Sequence, residues 1–313
     1  MSQNKSRSPQ VRWLWIAIGV IIAAVTVALS TAPSALATVH PPIATTQQPA
    51  TAPPVTTAAP VAAAPGLPGP SPQAIALQVQ SAIQAASPGT TVGIDVVDTQ
   101  TGAVLADLNA DQQFYTASVV KVLIALDAMQ SQGWQPDSGT TAQLQQMLAT
   151  SDDDIADSLW DADGGDAIVT RMANLVGMPG TQAPEDSSEW GETLTTPQDV
   201  VTLYQWLTTQ APPSASNLIL TALRGTTQIS ADGTDQYFGI PDGLNGDDWA
   251  VKQGWMSLDS STTLDTTGLV GLGPLQPLRY AVVVLTSQPA DISWSAAGAA
   301  LTDGVAQLRP LIP

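Results

Sequence analysis

Cysteine is absent from all 313 residues, which excludes disulfides, thiolate metal sites, a cysteine nucleophile and a lipid-modified cysteine. Histidine is nearly absent too. The single one, His40, lies in a proline-rich stretch far from any plausible core, so Ser-His-Asp catalysis and histidine-ligated zinc are excluded. Positive charge is scarce: nine Lys and Arg face 27 Asp and Glu, giving a formal charge of −18, and nucleic acid is not an expected partner. Such acidity reads as a solvated surface and names no substrate. Chemistry is left to Ser, Thr, Lys, Tyr, Asp, Glu and backbone groups, with no metal and no cofactor implied.

Three of the nine basic residues, Lys5, Arg7 and Arg12, precede an apolar run from Trp13 to Ser30, the pattern of an export signal. Its length suits a membrane anchor, while Ala35-Leu36-Ala37 offers the small residues of a cleavage site. Either reading places the rest of the chain outside the cytoplasm, in the extracellular space or cell envelope, with membrane contact only through residues 1–37. From Thr38 to Pro72 there are ten prolines and no Asp, Glu, Lys or Arg, so 38–71 is expected to be an extended, solvated tether. Residues 72–313 remain. They suffice for one domain with a substantial core and no staples, expected to be monomeric.

Ser71-Pro72 reads as an N-cap followed by proline at the first helical position, and Ile75, Val79, Ala82, Ile83 and Ala86 recur at helical spacing. Val92, Ile94 and Val96 alternate as a strand, Thr99 to Gly102 turns the chain, and Ala103 to Asp107 returns. Further strands are predicted near Trp249 to Met256, Thr263 to Val270 and Tyr280 to Thr286, followed by a helix carrying Trp294, Ala297, Leu301, Val305 and Leu308. The middle, from about Ser118 to Leu223, is mainly helical. This order predicts an α/β (α+β) domain: an antiparallel five-stranded sheet flanked by the terminal helices, plus a mostly helical lobe, with chemistry expected between the two.

After residue 12 only two lysines remain, Lys121 and Lys252. Lys121 follows Ser118 by three residues at the start of an almost wholly apolar run, Val119 to Met129, so hydroxyl and amine share one face of a buried helix. Burial disfavours the ammonium form and leaves an amine able to take the serine proton. The helix N-terminus favours an oxyanion beside it. Ser151 opens the acidic run Asp152-Asp153-Asp154 and reads either as a helix N-cap or as part of a site. Lys252 stands in Val251-Lys252-Gln253-Gly254-Trp255, a strand whose glycine permits close approach of a ligand.

Each motif is weak singly. In this order they resemble the S-x-x-K, S-D-N and K-T-G set of class A β-lactamases and penicillin-binding proteins. Phe114-Tyr115-Thr116-Ala117-Ser118, Gly164-Gly165, Leu175-Val176-Gly177, Thr195-Thr196-Pro197 and Gly239-Ile240-Pro241 are also similar to family segments, and the likeness covers about residues 72 to 310. The resemblance implies acylation of Ser118 by β-lactams or D-Ala-D-Ala-like peptides, with Lys121 as base and Ser151 relaying a proton to the leaving nitrogen. Lys252 would hold the field around that relay and attract a substrate carboxylate. The backbone N–H groups of Ser118 and Trp255 would form the oxyanion hole, and Asp153, Gln253 and Gly254 would contact a small-molecule or cell-wall peptide substrate.

The chain departs from the family pattern at several points. Asp153 stands where the family has an asparagine that donates to the substrate, so either this carboxyl is protonated or the contact differs. Gln253 replaces a threonine or serine, though its amide can donate to a carboxylate. The strand Thr263 to Val270 carries no arginine, 33 positions separate Ser118 from Ser151, fewer than in class A enzymes, and the loop between Thr181 and Pro197 is short and lacks Glu-Pro-x-x-Asn. Glu185, Glu189 and Glu192, the only glutamates in the chain, all lie in that loop. They read as solvated side chains or, for Glu185 or Glu189, as a base for deacylation. Two further functions stay open: a β-lactamase-like envelope protein that binds without turnover, and a Ser-Lys esterase or amidase with another acyl substrate.

Overall fold

The computed structural model describes residues 70–271, 273 and 277–312; the export segment, nearly all of the tether and His40 lie outside them. Ser71 caps the first helix as its sequence predicts, its Oγ accepting from the Ala74 N–H at 3.2 Å, and α1 runs Pro72–Ala86. Two strands follow, β1 Thr91–Asp98 and β2 Ala103–Leu108, then the two-residue strand β3 Phe114–Tyr115 and a 3-10 turn, Ala117–Val120. The helical lobe comprises α2 Lys121–Ser131, α3 Ser138–Thr150, α4 Asp153–Ala162 and α5 Asp166–Val176; after β4 Leu194–Thr195 come α6 Pro197–Thr209 and α7 Pro213–Arg224. The chain returns through the short α8 Ile240–Gly243 to β5 Asp248–Ser257, β6 Thr262–Gly271 and β7 Tyr280–Gln288, and closes with α9 Trp294–Val305.

The five long strands form one antiparallel sheet in the order β2-β1-β7-β6-β5. The two ends of the domain meet at its centre, where β1 pairs with β7 from Thr91–Ser287 to Asp98–Tyr280. Alternating side chains divide between two cores, one per face. Ala250, Leu269, Ala281, Val283 and Leu285 pack on the helical lobe. Val251, Leu264, Val270, Val282 and Val284 pack on α1 and α9. β5 is the edge strand, and its free edge borders the turn that carries Ser118.

Helix α2 is buried on every side, which explains an apolar run with no polar stripe. Each of Leu123, Ile124, Leu126 and Met129 contributes about 2 kcal/mol on removal from water. The one carboxylate among them, Asp127, is held by Arg171 of α5 through two bonds, Nε to Oδ1 at 2.8 Å and Nη2 to Oδ2 at 2.7 Å. A buried carboxylate without that fork would destabilise the lobe by several kcal/mol, on the order of 3–5. Among the described residues no helix is long and apolar enough to cross a membrane.

Candidate active site

Ser118 sits in the 3-10 turn, buried, with Ala117 before it at φ 40° and Lys121 opening α2 behind it. A left-handed alanine costs roughly 1–2 kcal/mol, so neighbouring contacts must impose it. The Thr116 N–H donates to the Thr193 carbonyl at 2.8 Å, and the Val119 N–H to the Thr116 carbonyl at 2.9 Å. Across the turn stands Gly254 of β5, where an added Cβ would fall 2.7 Å from the Thr116 carbonyl oxygen and 3.3 Å from the Ala117 Cβ. The close approach predicted from this glycine is therefore real, and the approaching group is the protein's own turn before Ser118. Gly254 packs directly against the turn that carries Ser118.

The structure brings Ser118, Lys121, Ser151 and Lys252 into one hydrogen-bonded chain. Lys121 Nζ lies 3.0 Å from Ser118 Oγ, 2.8 Å from the Ser151 carbonyl oxygen and 3.3 Å from Ser151 Oγ, and it pairs with the Asp153 carboxylate. Lys252 Nζ lies 2.9 Å from Ser151 Oγ and 2.9 Å from the Gln253 carbonyl oxygen. Burial lowers the pKa of Lys121, against the attraction of Asp153, Asp152 and Asp232. Lys252 is pushed well down, first by burial and then by the positive charge of Lys121, with Asp153 and Asp232 opposing.

Counting donors shows what a neutral Lys121 can do. Two of its neighbours, the Ser151 carbonyl and the Asp153 carboxylate, only accept. They take the two N–H groups of a neutral amine, and the remaining lone pair is left for a hydroxyl proton. Ser118, at 3.0 Å, is the nearer hydroxyl.

Ser151 is not a helix N-cap. It ends α3 in the left-handed region at φ 55°, and Asp152 caps α4 by accepting from the Ile155 N–H at 3.1 Å. That strained backbone aims both the carbonyl and the hydroxyl of one residue at Lys121. Asp153, first residue of α4, is 56% exposed. It is engaged by Lys121, so its contact differs from that of a donating asparagine.

Gln253 is turned away from the site. Neighbours on a strand face opposite ways, so with Lys252 directed at Ser151 the Gln253 side chain lies on the other face, wholly buried. Its amide donates to the main-chain carbonyls of Gln236 and Phe238. Lys252 is equally enclosed. Glu185 and Glu189 are both exposed; Glu189 lines the cleft and Glu185 does not.

The cleft itself, about 430 Å³, lies between β5 and the helical lobe, with Ser118 and Trp255 both in its wall. Among the lining residues that escape a reading of the sequence are Asp157, Trp190, Asp232 and Trp294. The Trp190 ring centroid is 4.8 Å from Lys121 Nζ, and its Nε1–H donates to Asp157 at 2.7 Å. On the opposite wall Trp255 Nε1–H donates to Asp232 at 3.0 Å. Burial works against the charge on Asp232, yet bonds from Ser230, Thr234 and Trp255 hold its carboxyl below the usual range. One signal did exist: nine tryptophans against two phenylalanines, with Trp190 placed in a glutamate-rich loop.

The sequence model of the Beta-lactamase enzyme family matches residues 74–133, which include Ser118 and Lys121. The chain is 34% identical over 240 residues to "Putative lipoprotein LppW" of Mycobacterium tuberculosis and of Mycobacterium bovis, covering 74% of this chain and 73% of theirs. Among solved structures it is similar to a β-lactamase from Chitinophaga pinensis, with a TM-score of 0.59 at 16% identity over 76% of this chain and 99% of that one. It is also similar to PBP-A, one variant of which was solved as an acyl-enzyme complex with penicillin G, with a TM-score of 0.57 at 20% identity over 75% of this chain and 97% of that one.

Proposed function

The chain belongs to the β-lactamase enzyme family, and from that premise we propose that it is an exported serine acyl-transfer enzyme, acylated on Ser118 by β-lactams or by peptides ending in D-Ala-D-Ala. The observation that carries the proposal is the donor count around Lys121, which leaves a lone pair for the Ser118 hydroxyl. Ser118 Oγ attacks the acyl carbon as its proton passes to Lys121 Nζ. The C–N bond then breaks, the leaving nitrogen takes the hydroxyl proton of Ser151, and Lys121 returns its extra proton to Ser151 across 3.3 Å. Lys252, at 2.9 Å from the same hydroxyl, stabilises the transient alkoxide of Ser151. The backbone N–H groups of Ser118 and Trp255 receive the oxyanion.

The relatives named as lipoproteins support a place in the cell envelope. This chain has no cysteine to lipidate, so the attachment in this proposal is the apolar run 13–30. Turnover is proposed to be slow, because the loop sets an indole, Trp190, against Lys121, and Glu189 is the one glutamate lining the cleft. With little to activate water the acyl-enzyme persists, the behaviour of a penicillin-binding protein. A second reading, a protein that binds without acylation, draws on the pairing of Lys121 with Asp153, which favours the charged amine.

Gel labelling by a fluorescent penicillin tests the proposal. The wild-type chain is expected to take up label that survives for hours, and Ser118→Ala to take up none. Absence of label on the wild type, with no hydrolysis of simple esters, would favour the binding protein; ester hydrolysis without label would favour an esterase.

A further inference from the structure

The walls of the cleft carry one sign of charge. Asp153, Asp157, Glu189 and Asp232 line it, all exposed, and among the described residues no Lys or Arg does. The two lysines lie beneath, buried behind Ser118 and Ser151, with their charged forms disfavoured by burial. Between the carboxylates stand the indoles Trp190, Trp255 and Trp294. Two of these rings donate their N–H to a carboxylate, Trp190 to Asp157 and Trp255 to Asp232. Such a bond fixes the ring and adds electron density to it, which strengthens its attraction for a cation. Beyond Trp294 the wall stays negative: the adjoining groove, which shares that indole, is lined by Asp235 and Asp242.

We propose that the cleft selects acyl donors that carry an ammonium group close to the scissile bond, and disfavours donors with an additional carboxylate there. The inference rests on the acyl-transfer reading above and supplies the substrate class that reading lacks. The acidity of the whole chain does not account for it, because a long-range field does not place indole faces beside the carboxylates. A substrate ammonium in the cleft would meet carboxylate oxygens on both walls and an aromatic face between them. A carboxylate at the same place would lose its hydration and find no cationic side chain lining the cleft.

Three penicillins with the same nucleus separate charge from chemistry: ampicillin, with a side-chain ammonium; benzylpenicillin, neutral there; and carbenicillin, with a second carboxylate. Adduct formation on Ser118 is followed by intact-protein mass spectrometry at pH about 6, where the ampicillin amine is protonated. The expected order is ampicillin, benzylpenicillin, carbenicillin, with about tenfold between the extremes at low salt. That ratio should fall towards unity in about 1 M salt and in Asp157→Asn/Glu189→Gln. Equal rates, or carbenicillin fastest, would overturn the charge preference while leaving acylation intact. If no penicillin reacts, the acyl-transfer reading fails and the preference is read from binding alone. Benzylammonium should then quench the tryptophan fluorescence of the wild type saturably and phenylacetate should not; equal or absent quenching by both would end the proposal.

Discussion

Lys121 and Lys252 form a floor beneath the cleft, fully buried behind Ser118 and Ser151, whereas Asp153, Asp157, Glu189 and Asp232 stand around its rim in contact with water. An ammonium taken out of water loses hydration that hydroxyls and carbonyls only partly replace, so both lysines are pushed towards the neutral form. The rim side chains keep their hydration and set the field that an incoming group meets. On the proposed reading the difference divides the labour: the floor would govern reactivity at Ser118, and the rim would govern which substrates arrive there.

If the floor alone sets reactivity, removing its base should abolish acylation without loosening the fold. Lys121→Met is expected to slow penicillin labelling about 10³-fold, within the range for a positioned base. Because the Asp153 partner is exposed, the substitution strands no buried charge, and the melting temperature should stay the same or rise. A large loss of stability would mean that Lys121 is principally a structural group. A smaller effect, about 10²-fold, is expected for Gly254→Ala. Its new Cβ would fall 2.7 Å from the Thr116 carbonyl oxygen, a backbone atom that cannot swing aside, so the Ser118 turn must move. Overpacking of this kind costs about 1–3 kcal/mol, visible in thermal melts. Unchanged labelling would show that the turn is free to shift without consequence.

The floor was largely legible in the sequence and the rim was not. Ser118 and Lys121 are three residues apart, so local helix geometry alone joins them. The sheet and its two flanking helices were legible from periodicity and from the Ser71-Pro72 start, which are local signals too. The place of Gln253 was available from strand alternation, because a strand that aims Lys252 at the site turns the next side chain away. The motif resemblance argued the other way. Glycine at 254 announced a close approach but not what approaches, since Thr116 lies far off in sequence. The indole-carboxylate pairs were beyond reach: Trp190 meets Asp157 across 33 positions and Trp255 meets Asp232 across 23, both through loops without periodicity.

Asp153 belongs to both regions, exposed at the rim yet paired with the amine of the floor, so Asp153→Asn probes their coupling most finely. Its carboxylate favours the charged form of Lys121 and opposes the effect of burial. Neutralising it lowers the Lys121 pKa further, so at any pH below that value a larger fraction of the amine is free to accept the Ser118 proton. The acid limb of the labelling rate should therefore move to lower pH. Along that acid limb the rate should rise, by up to about tenfold. Above the pKa of the unmodified protein the two rates should converge, because there the amine is neutral with or without its partner. Benzylpenicillin is the suitable probe, since its neutral side chain leaves the rim field out of the comparison. A fall in rate at every pH would instead show that the carboxylate holds Lys121 in line with Ser118, and that this rim residue works by position more than by charge.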